Sequence, residues 1–269
     1  MKITKAIIPV AGWGTRRLPI TKAIEKCMLP VGNRPLVDYV VQDCLRAGIE
    51  DIYFVVSEDS TQLKEYYSEN AALNEYLRQN GKESNVPLVT PPKGATFHYI
   101  VQPSGRYGTA IPVALAALET GINEPVVVLM GDDFIYNQDK SSEVQRLLEA
   151  TNESSMLGVN VALEEVSRYG VLEMNENNEF VQVVEKPSVK DAPSTLINVS
   201  KYVLSPQLLQ EIIDYSKEEV LEGEYVITEP INRYVKNGGT MKVVPAKGQY
   251  LDGGSVEGWL HANNVVCKK

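Results

Sequence analysis

An α/β fold whose first half carries a parallel sheet, and whose second half is rich in strands and hairpins, is predicted by three observations on this 269-residue chain. The first 57 residues read as strand, glycine loop, helix and strand. The most apolar run, residues 125–130, has the length of a buried strand. From residue 155 onward the pattern changes to short strands separated by turns. A strand–helix–strand unit returns its second strand parallel to the first through a right-handed crossover. Ligands of such sheets sit beyond the carboxyl ends of the strands, and Gly12 and Gly14 fall at that end.

The elements follow in order. Residues 5–10 are a buried-type strand that breaks at Gly12 and Gly14 and ends on Arg16. Residues 15–30, punctuated by Pro19 and Pro30, are too irregular for a long helix and read as an extended loop returning over that strand. Pro35 stands at a helix N-terminus, and apolar residues recur with helical period from Leu36 until Gly48 stops them. Residues 51–57 are a second strand. Residues 60–79 predict one or two amphipathic helices, 80–94 a surface connection, and 96–101 a strand that delivers Gln102. His98 reads as a packed residue of that strand.

An alanine-rich helix is expected over 108–119, then the strand 125–130, ending at Gly131-Asp132-Asp133. Strands follow at 156–163, 170–174, 180–184, 196–204 and 241–245, with helices at 207–215, 228–236 and 256–266. No repeat, linker or low-complexity tract divides the chain, so a single domain over residues 1–269 is expected, with two functional halves meeting near residue 154.

Composition bounds the function. A content of 43% hydrophobic and 23% charged residues is that of a globular protein with a substantial core. The net charge of −9, with no basic runs, argues against a nucleic-acid surface. Three cysteines without C-x-x-C spacing indicate neither a disulfide framework nor a zinc site. No apolar leader and no run of 18 apolar residues is present, so neither secretion nor membrane spanning is expected and a cytoplasmic location is.

Three local patterns carry chemistry. A glycine loop after a buried strand exposes backbone N–H groups that suit a phosphate, although a plain turn has the same composition. Asp132 and Asp133 point to opposite sides if the strand continues, so one of them can face a hard cation that phosphate oxygens also hold. An Asp-rich turn reads the same way. Glu185-Lys186 leaves an acid and a base side by side at a strand end, as a surface ion pair also would. The loop is not a dinucleotide fingerprint: position 17 is Arg, and the next glycine is Gly32.

Taken in order, these residues resemble a known family. Gly12-Trp-Gly14-Thr15-Arg16-Arg-Leu18-Pro19, Thr21-Lys22-Ala23, Lys26 with Met28-Leu29-Pro30, and Gln102 with Tyr107-Gly108-Thr109-Ala110 carry the first part of the match. Gly131-Asp132-Asp133, Tyr169-Gly170-Val171, Val184-Glu185-Lys186-Pro187, Tyr202-Val203-Leu204, Gly223-Glu224-Tyr225, and Asp252-Gly-Gly-Ser ahead of Gly258-Trp259-Leu260-His261-Ala262-Asn263 carry the rest. The set is similar to the sugar-1-phosphate nucleotidyltransferases, in particular those acting on UTP and glucose 1-phosphate.

The resemblance implies a Rossmann-like mixed, mostly parallel sheet of the glycosyltransferase-A type, flanked by helices. It divides the chain into a nucleotide-binding half, 1–154, and a sugar-binding half with the C-terminal helix, 155–269. It implies uridylyl transfer from UTP to glucose 1-phosphate, giving UDP-glucose and pyrophosphate, with Mg2+ as cofactor and a homo-oligomer, dimer or tetramer, as assembly. By the same matching, Ala11, Gly12, Gly14, Thr15 and Arg16 would hold the triphosphate, and Gln102 and Gly108 the uracil edge. Asp132 and Asp252 would hold the metal. Asp133, Gly170, Glu185, Lys186 and Val199 would lie around the sugar phosphate, and Arg16, Lys26, Asp132 and Lys186 would be catalytic.

Those residue types suit the chemistry, because the attacking phosphate oxygen is already anionic and needs no general base. Two departures stand out: Glu25-Lys26-Cys27 where the family has Pro-Lys-Glu, and Asn198-Val199-Ser200-Lys201 where it has a more apolar stretch with Gly and Arg. The same reaction with dTTP or another sugar phosphate stays open as an alternative, as does a non-catalytic sugar-nucleotide sensor.

Overall fold

The computed structural model describes residues 2–150, 153–219 and 223–268. Strand β1 (Lys5–Pro9) alternates its side chains between two apolar layers, with Ala6 and Ile8 on one face and Ile7 on the other. After the glycine loop come two-residue strands β2 (Pro30–Val31) and β3 (Arg34–Pro35), helix α1 (Leu36–Arg46) and strand β4 (Asp51–Ser57). Helix α1 buries Leu36, Val37, Val40, Val41 and Cys44, the positions spaced to form one stripe. Gly48, at φ 77°, lies just beyond its end.

Helices α2 (Gln62–Tyr66), α3 (Ala71–Gln79) and α4 (Val86–Val89) lead to strand β5 (Thr96–Gln102) and helix α5 (Ala110–Thr120). Strand β6 (Val126–Leu129) is buried throughout, and β7 (Asp133–Tyr136) and α6 (Glu143–Ala150) follow it. The second half holds β8 (Ser154–Asn160), β9 (Gly170–Met174), β10 (Phe180–Glu185), β11 (Leu196–Leu204), α7 (Pro206–Lys217), α8 (Thr228–Lys236), β12 (Met241–Pro245), β13 (Gln249–Asp252) and α9 (Val256–Cys267). Ser205 and Ser255 accept hydrogen bonds from Leu208 and Gly258 at the starts of α7 and α9.

Nine strands form one mixed sheet. Strands β5, β4, β1 and β6 are parallel, and β11 closes antiparallel on β6. β8 lies antiparallel on β11 with β12 parallel beyond it, and β9 meets β11 at Ile197 and carries β10. Side chains from α1 and α6 cover one face of this sheet, and those from α5, α7 and α8 cover the other, giving three layers. This is the mostly parallel mixed sheet with flanking helices that the resemblance implies.

The differences from the expected elements have local causes. The helix expected over 108–119 starts at Ala110, because Gly108 has φ 118°, outside the helical range. The strand expected over 156–163 runs instead from Ser154 to Asn160, and Leu163–Arg168 is a 3-10 turn. The loop over 15–30 folds into three 3-10 turns, Thr15–Arg17, Ile20–Lys22 and Lys26–Met28. Helix α6 and the pairing of β13 with β7 were not anticipated: α6 is short, and the pairing joins segments far apart in the chain. His98 is packed as expected, with its ring stacked on Tyr53 and its Nε2 2.8 Å from Asp51 Oδ1.

Candidate active site

The parallel strands end on one side of the sheet, where Pro9, Ser57, Gln102 and Met130 border a cleft of about 870 Å³. Ala11, Gly12, Gly14, Thr15, Arg16, Lys26, Gln102, Gly108 and Asp132 all line this cleft. Gly14 adopts φ 63°, and a Cβ there would stand 2.9 Å from Thr21 Cγ2 and 3.0 Å from Lys26 Cβ. The Thr21 hydroxyl donates to Gly14 O at 2.9 Å, so the loop is folded back against the segment that carries Lys26.

The unusual Glu25 explains how that segment is held. Its carboxylate accepts hydrogen bonds from the Ser60 hydroxyl at 2.7 Å and from the Thr61 and Gln62 amides at 2.8 Å each, at the start of α2. Gln62 returns two bonds, accepting from Glu25 N at 3.0 Å and donating to Ala23 O at 2.8 Å. Cys27 is buried beneath it. Lys26, with its side chain 13% exposed, reaches across the cleft floor to ion-pair with Asp132.

Gly108 shows why glycine is required at the opposite wall. A Cβ at this position would lie 2.5 Å from both N and O of Tyr225. That approach is stitched by Tyr225 N donating to Tyr107 O at 3.0 Å and Ala110 N donating to Tyr225 O at 2.8 Å. Gly108→Ala therefore forces the 223–227 strap away and strains a left-handed φ. The expected outcome is a loss of about 1–3 kcal/mol of stability, read as a shift of the denaturation midpoint. An unchanged midpoint would show that the strap yields to the added methyl group without cost.

Asp132 is the carboxylate that faces the cleft. Burial pushes its pKa up, but Lys26, Lys201 and Arg16 outweigh that effect and hold it below the ordinary carboxylate range. Its Oδ2 takes Lys26, while Oδ1 accepts no hydrogen bond among the described residues. Asp252 comes alongside because β13 pairs antiparallel with β7, placing Asp252 opposite Asp133. Gly253 N then donates to Asp132 O at 3.0 Å. Asp252 Oδ1 accepts from Gly254 N at 2.6 Å, and its Oδ2 lies 3.8 Å from Arg168.

Asp133, placed by the matching around the sugar, is withdrawn from this cleft. It is 8% exposed, ion-paired with Lys201, and accepts a hydrogen bond from the Tyr250 hydroxyl at 2.9 Å. Burial raises its carboxyl to about 6, with the Lys201 ammonium opposing the rise. Lys201 also donates to Met130 O at 3.2 Å and Val199 O at 3.3 Å, so its three protons are used inside the protein. Lys201→Met strands the Asp133 charge and is expected to lower stability by about 3–5 kcal/mol, read as a shift of the denaturation midpoint. A shift below about 1 kcal/mol would show that the pair is dispensable.

Gly170, Glu185 and Lys186 lie together outside the main cleft. Gly170 pairs with Glu185 in the β9–β10 register, and a Cβ on Gly170 would sit 3.2 Å from Glu185 Oε1. Glu185 Oε1 accepts from the Thr228 hydroxyl at 2.7 Å, and Lys186 N donates to Tyr169 O at 3.0 Å. Both side chains are exposed, and Lys186 adopts φ 45°. Val199 is 1% exposed and belongs to the core. Its carbonyl accepts a hydrogen bond from Lys201 Nζ at 3.3 Å.

The structure therefore gathers nine of the named residues in one cleft, sets Asp252 beside it, and leaves Gly170, Glu185 and Lys186 as a separate group. Sequence reasoning marked Glu25 and Lys201 only as departures and gave no role to Arg17, so the parts these three play went unread. Lys201 had a detectable signal, a cation inside the apolar run of a buried strand.

The family model described as nucleotidyl transferase matches residues 5–269, and the chain belongs to that family. A curated relative from Methanocaldococcus jannaschii, described as a putative UTP–glucose-1-phosphate uridylyltransferase, is 33% identical over 265 residues, 97% of this chain and 92% of its own. A UTP–glucose-1-phosphate uridylyltransferase of Streptococcus pneumoniae is 35% identical over 78% of this chain and 73% of its own. Among solved structures, a UTP-bound UGPase from Acinetobacter baumannii superposes with a TM-score of 0.87 at 26% identity, covering 98% of this chain and 93% of that one. A UDP-glucose pyrophosphorylase in complex with UDP-glucose gives 0.81 at 30% identity over 98% of both chains.

Proposed function

We propose that this protein is a UTP–glucose-1-phosphate uridylyltransferase: it transfers the uridylyl group of UTP to glucose 1-phosphate, giving UDP-glucose and pyrophosphate. The observation that carries this reading is the single cleft uniting the glycine loop, Lys26, Gln102, Gly108 and Asp132 in a chain whose near relatives bear that name. A phosphate oxygen of the sugar phosphate forms the new bond to the α-phosphorus. The bond from that phosphorus to the bridging oxygen breaks, and pyrophosphate leaves with the electron pair. No proton need be removed from the nucleophile, so the protein's task is alignment and charge stabilisation.

The loop amides from Ala11 to Thr15 and the Arg16 guanidinium hold the triphosphate. Gln102 and the Gly108 backbone meet the uracil edge, where close approach to the main chain limits the size of the base. Lys26 stands at the transferring phosphates. Glu185, oriented by Thr228, serves the sugar hydroxyls together with Gly170, and Lys186 serves the sugar phosphate. Asp133 and Val199 enter the reading as supports behind the site. The domain reading stays as one unit, with the nucleotide side at about 1–154 and the sugar side at about 155–269. A homo-oligomer, dimer or tetramer, is part of the same proposal, with light scattering as its check.

A divalent cation, Mg2+ in this reading, fits Asp132 and Asp252. Both are hard oxygen donors on adjoining backbone, and Asp132 Oδ1 is free of hydrogen bonds among the described residues. No group of three or more His, Cys, Asp or Glu side chains suited to a metal occurs among those residues, so phosphate oxygens would complete the coordination. When bound, such an ion supplies charge neutralisation at the phosphates.

No helix among the described residues is long and apolar enough to cross a membrane, and a cytoplasmic setting is proposed with the reaction. The test is pyrophosphate release from UTP and glucose 1-phosphate with Mg2+, with and without chelator, beside a matrix of other nucleotides and sugar phosphates. Release with UTP and glucose 1-phosphate alone is expected. Preference for dTTP or another sugar would replace the substrates, and UDP-glucose binding without turnover would mark a sensor.

A further inference from the structure

Two adjacent arginines in the glycine loop behave oppositely. Arg16 is exposed and lines the cleft, whereas Arg17 is 2% exposed and is the largest fully buried side chain among the described residues. The 3-10 turn Thr15–Arg17, closed by Arg17 N donating to Gly14 O at 2.8 Å, sends the second guanidinium into the body. There Arg17 Nη1 donates to Gly253 O at 2.7 Å and to Ser255 O, and the guanidinium carbon lies 5.1 Å from the centre of the Trp259 ring. The indole N–H of Trp259 donates to Pro30 O at 2.7 Å.

One side chain thus joins the phosphate loop, the turn after Asp252 and the start of α9. Gly253, which it grips by the carbonyl, also donates its N–H to Asp132 O at 3.0 Å. As a mere packing element Arg17 is a poor choice. Its hydrogen-bond partners are carbonyls rather than carboxylates, and its Nε has no partner among the described residues. Ser255 is the N-cap of α9, whose dipole disfavours a cation. Burial lowers its pKa, with Asp252 acting through space to raise it. An apolar side chain of similar length would fill the space without desolvating a charge.

We propose that Arg17 is a positioning residue that couples the glycine loop to the turn carrying Asp252, so that seating a nucleoside triphosphate on the loop is transmitted to Trp259 and to that carboxylate. This inference rests on the nucleotide site proposed above. The chain has two tryptophans, so Trp13→Phe leaves Trp259 as the sole indole reporter beside the Arg17 guanidinium.

In the Trp13→Phe protein, UTP at concentrations that saturate it by calorimetry is expected to change Trp259 emission. Adding Arg17→Met is expected to abolish that change while calorimetry still records binding, and to lower kcat about tenfold, with Arg17→Lys recovering part of both. UTP binding with a silent Trp259, or a response surviving unaltered in Arg17→Met, overturns the coupling. If Arg17→Met fails to fold, Arg17→Lys decides: a response unchanged from the Arg17 protein overturns the coupling, and a weakened one supports it. Absence of any UTP binding to the unmodified protein removes the nucleotide site and this inference with it, a failure distinct from bound UTP with no optical response.

Discussion

Lys26→Ala is expected to lower kcat for pyrophosphate release by about 10²–10³-fold, with a much smaller change in the KM for UTP. The asymmetry follows from where the ammonium lies. Lys26 is 13% exposed and is set in the cleft by the Glu25–Gln62 bonds, so in the proposed reaction the transferring phosphates would meet an ammonium already oriented and largely dehydrated. Charge that grows in the transition state gains most from such a fixed cation, whereas in the proposed reading the ground-state triphosphate would retain the loop amides and Arg16. Stability should change by only about 1 kcal/mol or less, because the released Asp132 side chain is 36% exposed and can take up water. Steady-state kinetics with a thermal melt checks both parts. A KM that rises while kcat holds would move Lys26 to uniform substrate binding.

The second large effect is expected at Asp132. Asp132→Asn keeps the shape but removes the charge that faces the cleft and pairs with Lys26. A loss of about 10²-fold or more in kcat is expected, together with a rise in the Mg2+ concentration needed for half-maximal rate. The matching change at Asp133 separates the two neighbours. Asp133→Asn leaves Lys201 buried without its carboxylate, so its damage should fall on the denaturation midpoint more than on the Mg2+ requirement. Equal Mg2+ responses for the two variants would contradict the assignment of Asp132 as the metal-facing carboxylate.

The two departures from the family's usual residues are explained by contacts rather than by type. Glu25 caps the start of α2 and so fixes the path of Lys26, and Cys27 simply fills the core beneath. Asn198 and Ser200 shape an irregularity in β11: Asn198 Oδ1 accepts from Ser200 N at 2.9 Å, and its amide donates to the Tyr202 hydroxyl at 2.6 Å. Ser200 takes φ 52° there, which lets Lys201 turn inward to Asp133. None of these partners is adjacent in the chain to the residue it explains, apart from the Asn198 turn.

By itself the sequence determined the periodic features. Apolar runs marked β1, β4, β6 and β11, the 3.6-residue stripe marked α1, and glycines after β1 marked the loop that lines the cleft. These are legible because each is encoded within one short window whose pattern reports its own buried face. Only the tertiary structure decided which charges share a cleft. The pairing of β13 with β7 sets Asp252 opposite Asp133 and beside the cleft, the burial of Arg17 beside exposed Arg16 depends on the Gly253–Ser255 turn, and Lys201 rather than a cleft cation neutralises Asp133. Whether a charged side chain is solvated, paired or buried is set by neighbours that arrive from distant segments on packing, and no local pattern carries that information.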